Sequence, residues 1–139
     1  MAGYSQTPLA KKLGMKPGLR IALPGIPKEI ARELSNAIAD CQRVRSAVAD
    51  FALLFCSSSV RLHAAPGPWK RRLDPAGAIW LAWPKKSSGV ATNLDGNVVR
   101  RIGLRSGYVD VKVCAIDDVW SGLRFVVRLR DRPQTRNGA

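Results

Sequence analysis

From Pro84 to Asn93 the chain reads PKKSSGVATN. Lys85 and Lys86 bring positive charge, Ser87, Ser88 and Thr92 bring hydroxyls, and Gly89 brings a backbone that a ligand can approach closely. Together they suit an anion. The stretch follows a greasy run, Ile79 to Trp83, and precedes a pattern that Thr92 is placed to open as a helix. Strand, polar loop and helix start, in that order, are how many α/β proteins hold phosphates and carboxylates. Each residue also has a plain local role: Pro84 ends a strand, the lysines solvate a loop and Thr92 caps a helix.

Other chemistry is sparse. His63 is the only histidine, beside no serine or cysteine at a nucleophile elbow, and reads as a surface residue. Asp117 and Asp118 sit in a turn, where aspartate serves the backbone better than acid–base work. In Trp120-Ser121-Gly122-Leu123-Arg124, Trp120 is placed to clamp the end of a sheet, and Arg124 to reach an acidic partner or to pair with Asp117 or Asp118. No phosphate loop, metal-ligand cluster or cofactor motif is present, so no cofactor is expected. Cys41, Cys56 and Cys114 have no C-x-x-C spacing and read as reduced, mostly buried thiols.

The elements that must position these residues follow from periodicity. Leu19 to Leu23, ended by Pro24-Gly25, reads as a buried strand. Pro27 opens a helix of about three turns through Ile30, Leu34 and Ile38. A weak strand near Gln42 to Val48 and a doubly apolar strand, Phe51 to Phe55, come next. Ser57 to Ser59 cap a helix that Pro66-Gly67-Pro68 interrupts, and Asp74 to Gly77 turn into the strand Ala78 to Trp83. A helix with Leu94, Val98 and Ile102 inward runs from Thr92 to Gly107, and alternation over Tyr108 to Ile116 and Leu123 to Leu129 predicts an antiparallel hairpin.

Strands alternating with helices imply an α/β fold: a three-layer, Rossmann-like sandwich with a mostly parallel sheet and a C-terminal antiparallel hairpin. One domain covers residues 1–130, and residues 131–139 form a loose tail. Ligands bind beyond the carboxyl ends of such a sheet, where three loops should meet: Pro24-Gly25, Ser57 to Ser59, and Pro84 to Asn93. Gly25 and Ser57 therefore join the loop residues, Trp120 and Arg124 as candidate ligand contacts.

Charge frames the choice of partner. Lys and Arg outnumber Asp and Glu by 23 to 10, a formal +13, which favours an anionic small molecule, an acidic protein surface or nucleic acid. The tryptophans and phenylalanines sit inside apolar runs, and no RNA-binding signature of spaced Phe and Tyr appears, so nucleic acid ranks lower. No apolar run reaches membrane-span length, and MAGYSQTPLAKKLGMKPG has no signal-peptide centre, which points to a cytoplasmic protein without a membrane partner. Oligomeric state is not encoded in any motif.

The phrases AGYSQTPLAKKLGMKPG, WLAWPKKSSGVATNL, VVRRIGL and VDVKVCAIDDVWSGLRFV resemble an uncharacterised bacterial family, domain of unknown function 3052. The arrangement is also similar to the shell of a class I S-adenosylmethionine methyltransferase. Its first turn, Leu23-Pro24-Gly25-Ile26-Pro27, has one glycine and two prolines, and Arg43 and Arg45 stand where a ribose-holding acid would end the second strand. The expectation is thus a non-catalytic binding or regulatory module for an anionic ligand or partner. The alternatives are a divergent methyltransferase-like enzyme and a nucleic-acid-binding protein.

Overall fold

A computed structural model describes residues 7–128. The tail at 131–139 and the first six residues of the leader lie outside the described residues. Six strands form one sheet in the order β2-β1-β3-β4-β6-β5: β1 Arg20–Ala22, β2 Gln42–Arg43, β3 Ala49–Phe55, β4 Leu73–Pro84, β5 Tyr108–Ala115 and β6 Trp120–Val127. β2, β1, β3 and β4 are parallel, whereas β6 runs against both β4 and β5. The expected mostly parallel sheet with a terminal hairpin is present.

Strands β3 and β4 lie side by side at the centre because their side chains are apolar on both faces. On one face Phe51, Leu53 and Trp80 meet α1 (Leu9–Leu13), α2 (Lys28–Glu33) and α3 (Ser35–Ala39) through Leu13, Ile30 and Leu34. On the other, Leu54, Ile79, Leu81 and Phe125 meet α4 (Ser59–Ala64), α5 (Pro66–Arg72) and α6 (Gly96–Arg105) through Leu62, Trp69, Val99 and Ile102. The indole Nε1 of Trp80 donates to the Leu13 carbonyl at 2.8 Å, and Tyr108 Oη to that of Pro66 at 2.7 Å, so each helical layer is fastened to the sheet by a buried polar contact.

Several boundaries differ from the sequence expectation. The helix after Pro27 breaks at Leu34, whose φ of −93° and ψ of 6° leave the helical range, and continues as the separate α3. The weak strand shrinks to Gln42–Arg43, although Val44 still donates its amide to the Ile21 carbonyl at 2.8 Å and packs against the core on the α4–α6 face. Asp74 to Gly77 is drawn into β4, where Gly77 sits so close to β3 that a Cβ would come within 2.7 Å of the Asp50 carbonyl. The last helix begins at Gly96, capped by Asp95 Oδ1 accepting from Val98 N at 2.9 Å. Thr92 does not open it; its hydroxyl accepts from Leu94 N in a local turn.

From β1 the chain passes through α2 and α3 to β2 on one side, then returns across β1 to β3 on the other. That reversal beside β1 is the switch in strand order where an open α/β sheet leaves a crevice.

Candidate functional site

A crevice of about 500 Å³ lies at this switch. Pro24 and Gly25 form one edge, Arg43 at the end of β2 and Arg45 just beyond it a second, and Trp69 and Arg72 of α5 another wall. Gly25 has a φ of 65°, a left-handed turn that glycine adopts without strain, and the space where its Cβ would stand is open. Few amides are left for a ligand there. Pro24 and Pro27 have none, and Ile26 N donates to the Leu23 carbonyl at 3.3 Å. Arg43 Nη2 reaches back to the same carbonyl at 3.4 Å. No carboxylate lines the crevice, so its charge is wholly positive.

Arg72 escaped the sequence reading. Its guanidinium stacks over Trp69 at 4.1 Å, Nη2 donates to the Ala47 carbonyl at 3.4 Å, and Nε is buried with no hydrogen-bond partner. The string PGPWKRR reads as a basic helix end; only the return of the chain from β2 to β3 places it opposite Arg43 and Arg45.

The lysine loop is folded more tightly than its composition suggests. Lys86–Ser88 is a single 3-10 turn closed by Gly89 at φ 79°, with Ser88 Oγ donating to the Lys85 carbonyl at 2.6 Å. Lys86 and Ser87 are exposed. Lys85 is half-buried, donates its amide to the Val119 carbonyl, and shares a second crevice of about 460 Å³ with Lys12, Glu33, Asp117 and Asp118. The helix field expected at this loop is met first by the Asp95 cap.

Ser57 and Thr92 do come together: Thr92 Oγ1 donates to the Ser57 carbonyl at 2.7 Å, and Asn93 and Ser59 exchange two further bonds of 2.9 Å. The loops after β3 and β4 are thereby tied to each other, apart from the walls of the Gly25 crevice. Trp120 clamps the end of the sheet as expected, edge-on to Phe55 at 5.0 Å between centroids. Asp117 serves the turn, its Oδ1 accepting from Val119 N and Trp120 N. Arg124 does not pair with it. It projects from β6 beside Gly14, with Nε buried and unpartnered.

No thiol is activated. Burial pushes Cys56 up from its ordinary range at the end of β3, against a smaller downward pull from Arg61, and burial also raises Cys41 and Cys114. Among the described residues no group of His, Cys, Asp and Glu is arranged to hold a metal, and no helix is long and apolar enough to cross a membrane.

No protein-family model and no curated protein sequence matches the chain. Solved structures do. Magnesium protoporphyrin IX methyltransferase from Synechocystis PCC 6803, with bound S-adenosylhomocysteine, superposes with a TM-score of 0.58 at 11% identity over 86% of this chain and 80% of that one. Precorrin-6y C5,15-methyltransferase from Geobacter metallireducens GS-15 gives 0.56 at 12% over 86% of both chains. The B. subtilis m1A22 tRNA methyltransferase TrmK gives 0.52 at 11% over 92% of this chain and 68% of that one. The Rossmann-like, methyltransferase-type fold is therefore established. The expectation of a non-catalytic module, leaning away from an enzyme, is overturned by these likenesses, which back the methyltransferase-like alternative. At such identities they establish architecture alone.

Proposed function

We propose that the chain is a divergent S-adenosylmethionine-dependent methyltransferase-like enzyme whose ligand site is the crevice beside β1. The position of that crevice carries the reading. It lies at the switch in strand order, edged by a left-handed glycine with open space above it, on a sheet of methyltransferase type. Kinship with domain of unknown function 3052, and a bacterial, cytoplasmic setting, belong to the same proposal and rest on the WPKK and WSGLRF phrases and the unpaired cysteines.

The donor set departs from the usual one. A nucleoside cofactor asks for a carboxylate at the end of the second strand and a glycine-rich turn after the first. Here Arg43 and Arg45 stand at the former, and two prolines flank the single glycine of the latter. These residues do not fit adenosylmethionine held in that way. The cofactor would take a different pose in the same crevice.

Binding is the test. Calorimetry with S-adenosylhomocysteine up to millimolar concentration is expected to give saturable heat, lost in Gly25→Val. Gly18→Val is the control: Gly18 has a φ of 86° and the same open surroundings, but lies outside the crevice, so it imposes similar backbone strain without filling the site. No saturable heat from the unaltered protein overturns the reading.

A further inference from the structure

The two helical layers carry unlike charge. α4, α5 and α6 hold seven Lys and Arg and not one Asp or Glu, whereas α1, α2 and α3 hold four cations and two carboxylates. Among the described residues, Arg100 alone of the seven meets a carboxylate, Asp110 at 3.0 Å. Arg61, Arg71, Arg101 and Arg105 are exposed. Lys70 joins α5 to the end of α6, lying against Gly107 and over the Tyr108 ring. The crevice opens on this same side, since Trp69 and Val44 pack into its core. Its three arginines extend the cationic surface into a concave space, where Arg72 is held rigid by stacking on Trp69.

We infer that this side of the molecule binds a single-stranded nucleic acid, with phosphates along α5 and α6 and one nucleotide brought to the mouth of the arginine-lined crevice whose interior the proposed cofactor would fill. The inference supplies the acceptor class for the proposed enzyme and rests on that reading only in calling the strand an acceptor. Screening confines each charge to a radius of about 8 Å at physiological salt, so the local row of cations decides the docking face, not the +13 of the whole chain. A space of about 500 Å³ is of ligand size, and a base reaches its mouth only when out of a duplex stack. A bilayer surface is flat and leaves the crevice arginines unused.

The test uses fluorescence anisotropy with a labelled mixed-sequence RNA of about twenty nucleotides, its DNA counterpart and the corresponding duplexes, without cofactor. Single strands are expected to bind more tightly than duplexes, with affinity falling steeply with salt. Arg71→Ala, Arg101→Ala and Arg105→Ala together should lower affinity about tenfold or more and reduce the salt slope by about 2, since each phosphate contact on a single strand contributes ~0.7. Lys11→Ala, Lys28→Ala and Arg32→Ala remove the same formal charge from exposed positions on α1 and α2 and should cost less than about threefold. Equal losses from both triples, tighter duplex binding, no saturable binding, or stronger binding to phosphatidylserine vesicles overturns the inference. Strand binding without adenosylhomocysteine binding removes the enzyme reading and keeps this surface; the converse removes this surface alone.

Discussion

Gly103 shows how one missing side chain sets a distance. A Cβ there would clash with the ring of Phe125, so α6 approaches β6 this closely only because position 103 is bare. Both residues are buried, and the helix interior holds the glycine despite its propensity cost of about 1 kcal/mol relative to alanine. Gly103→Ala is expected to destabilise by about 1–3 kcal/mol through overpacking, read as a lower urea midpoint at unchanged slope. Gly67→Ala in α5, with open space at the Cβ position, should instead leave stability unchanged or raise it by up to about 1 kcal/mol. The functional residues divide in the same manner. Gly25 and the arginines at the end of β2 were visible as an unusual turn and a missing acid, but Arg72 needed its partner across the crevice to acquire meaning.

At the scale of elements, β3 is the strand on which the sheet is built. It lies between β1 and β4, and Leu54 faces the α4–α6 layer at 5% exposure. Leu54→Ala should cost about 2–5 kcal/mol by opening a cavity, measured by chemical denaturation; an unchanged midpoint would deny β3 its central place. Strong apolar runs such as FALLFC and IWLAW located their strands because burial on both faces demands that composition. Helix ends were harder to place. Thr92 and Asp95 are both good caps, and the choice of Asp95 follows from Thr92 being engaged by Ser57 of the neighbouring loop, a contact between residues 35 apart in sequence.

Across the whole molecule the sheet has a sealed end and an open one. At the amino ends of the strands, Arg20 of β1 bonds Asp50 of β3 at 2.7 Å and reaches Asp74 of β4 at 3.4 Å, linking three strands. The hydrogen bond from Arg20, working against partial burial, holds the Asp50 carboxyl below its ordinary value. A depressed carboxylate adds stability above its unfolded pKa of about 3.9 and loses it as pH falls through the lower folded value. Unfolding midpoints should therefore drop below about pH 4, and Asp50→Asn should lower stability at pH 7 by no more than about 1 kcal/mol, because the pair is partly exposed, while flattening the acid decline. An equal decline in the variant would assign the acid sensitivity elsewhere. At the opposite end, no carboxylate among the described residues lines the crevice to meet its arginines.

The sequence by itself determined the α/β class, the two central strands, the terminal hairpin and the excess of positive charge, because these depend on periodicity and composition within short windows. Tertiary structure decided the rest. Strand order brought Gly25, Arg43, Arg45, Trp69 and Arg72 into one crevice and gathered the cations of three helices on one side of the sheet. Such neighbours are set by how the layers pack on the two faces, a relation between segments tens of residues apart that no local pattern contains.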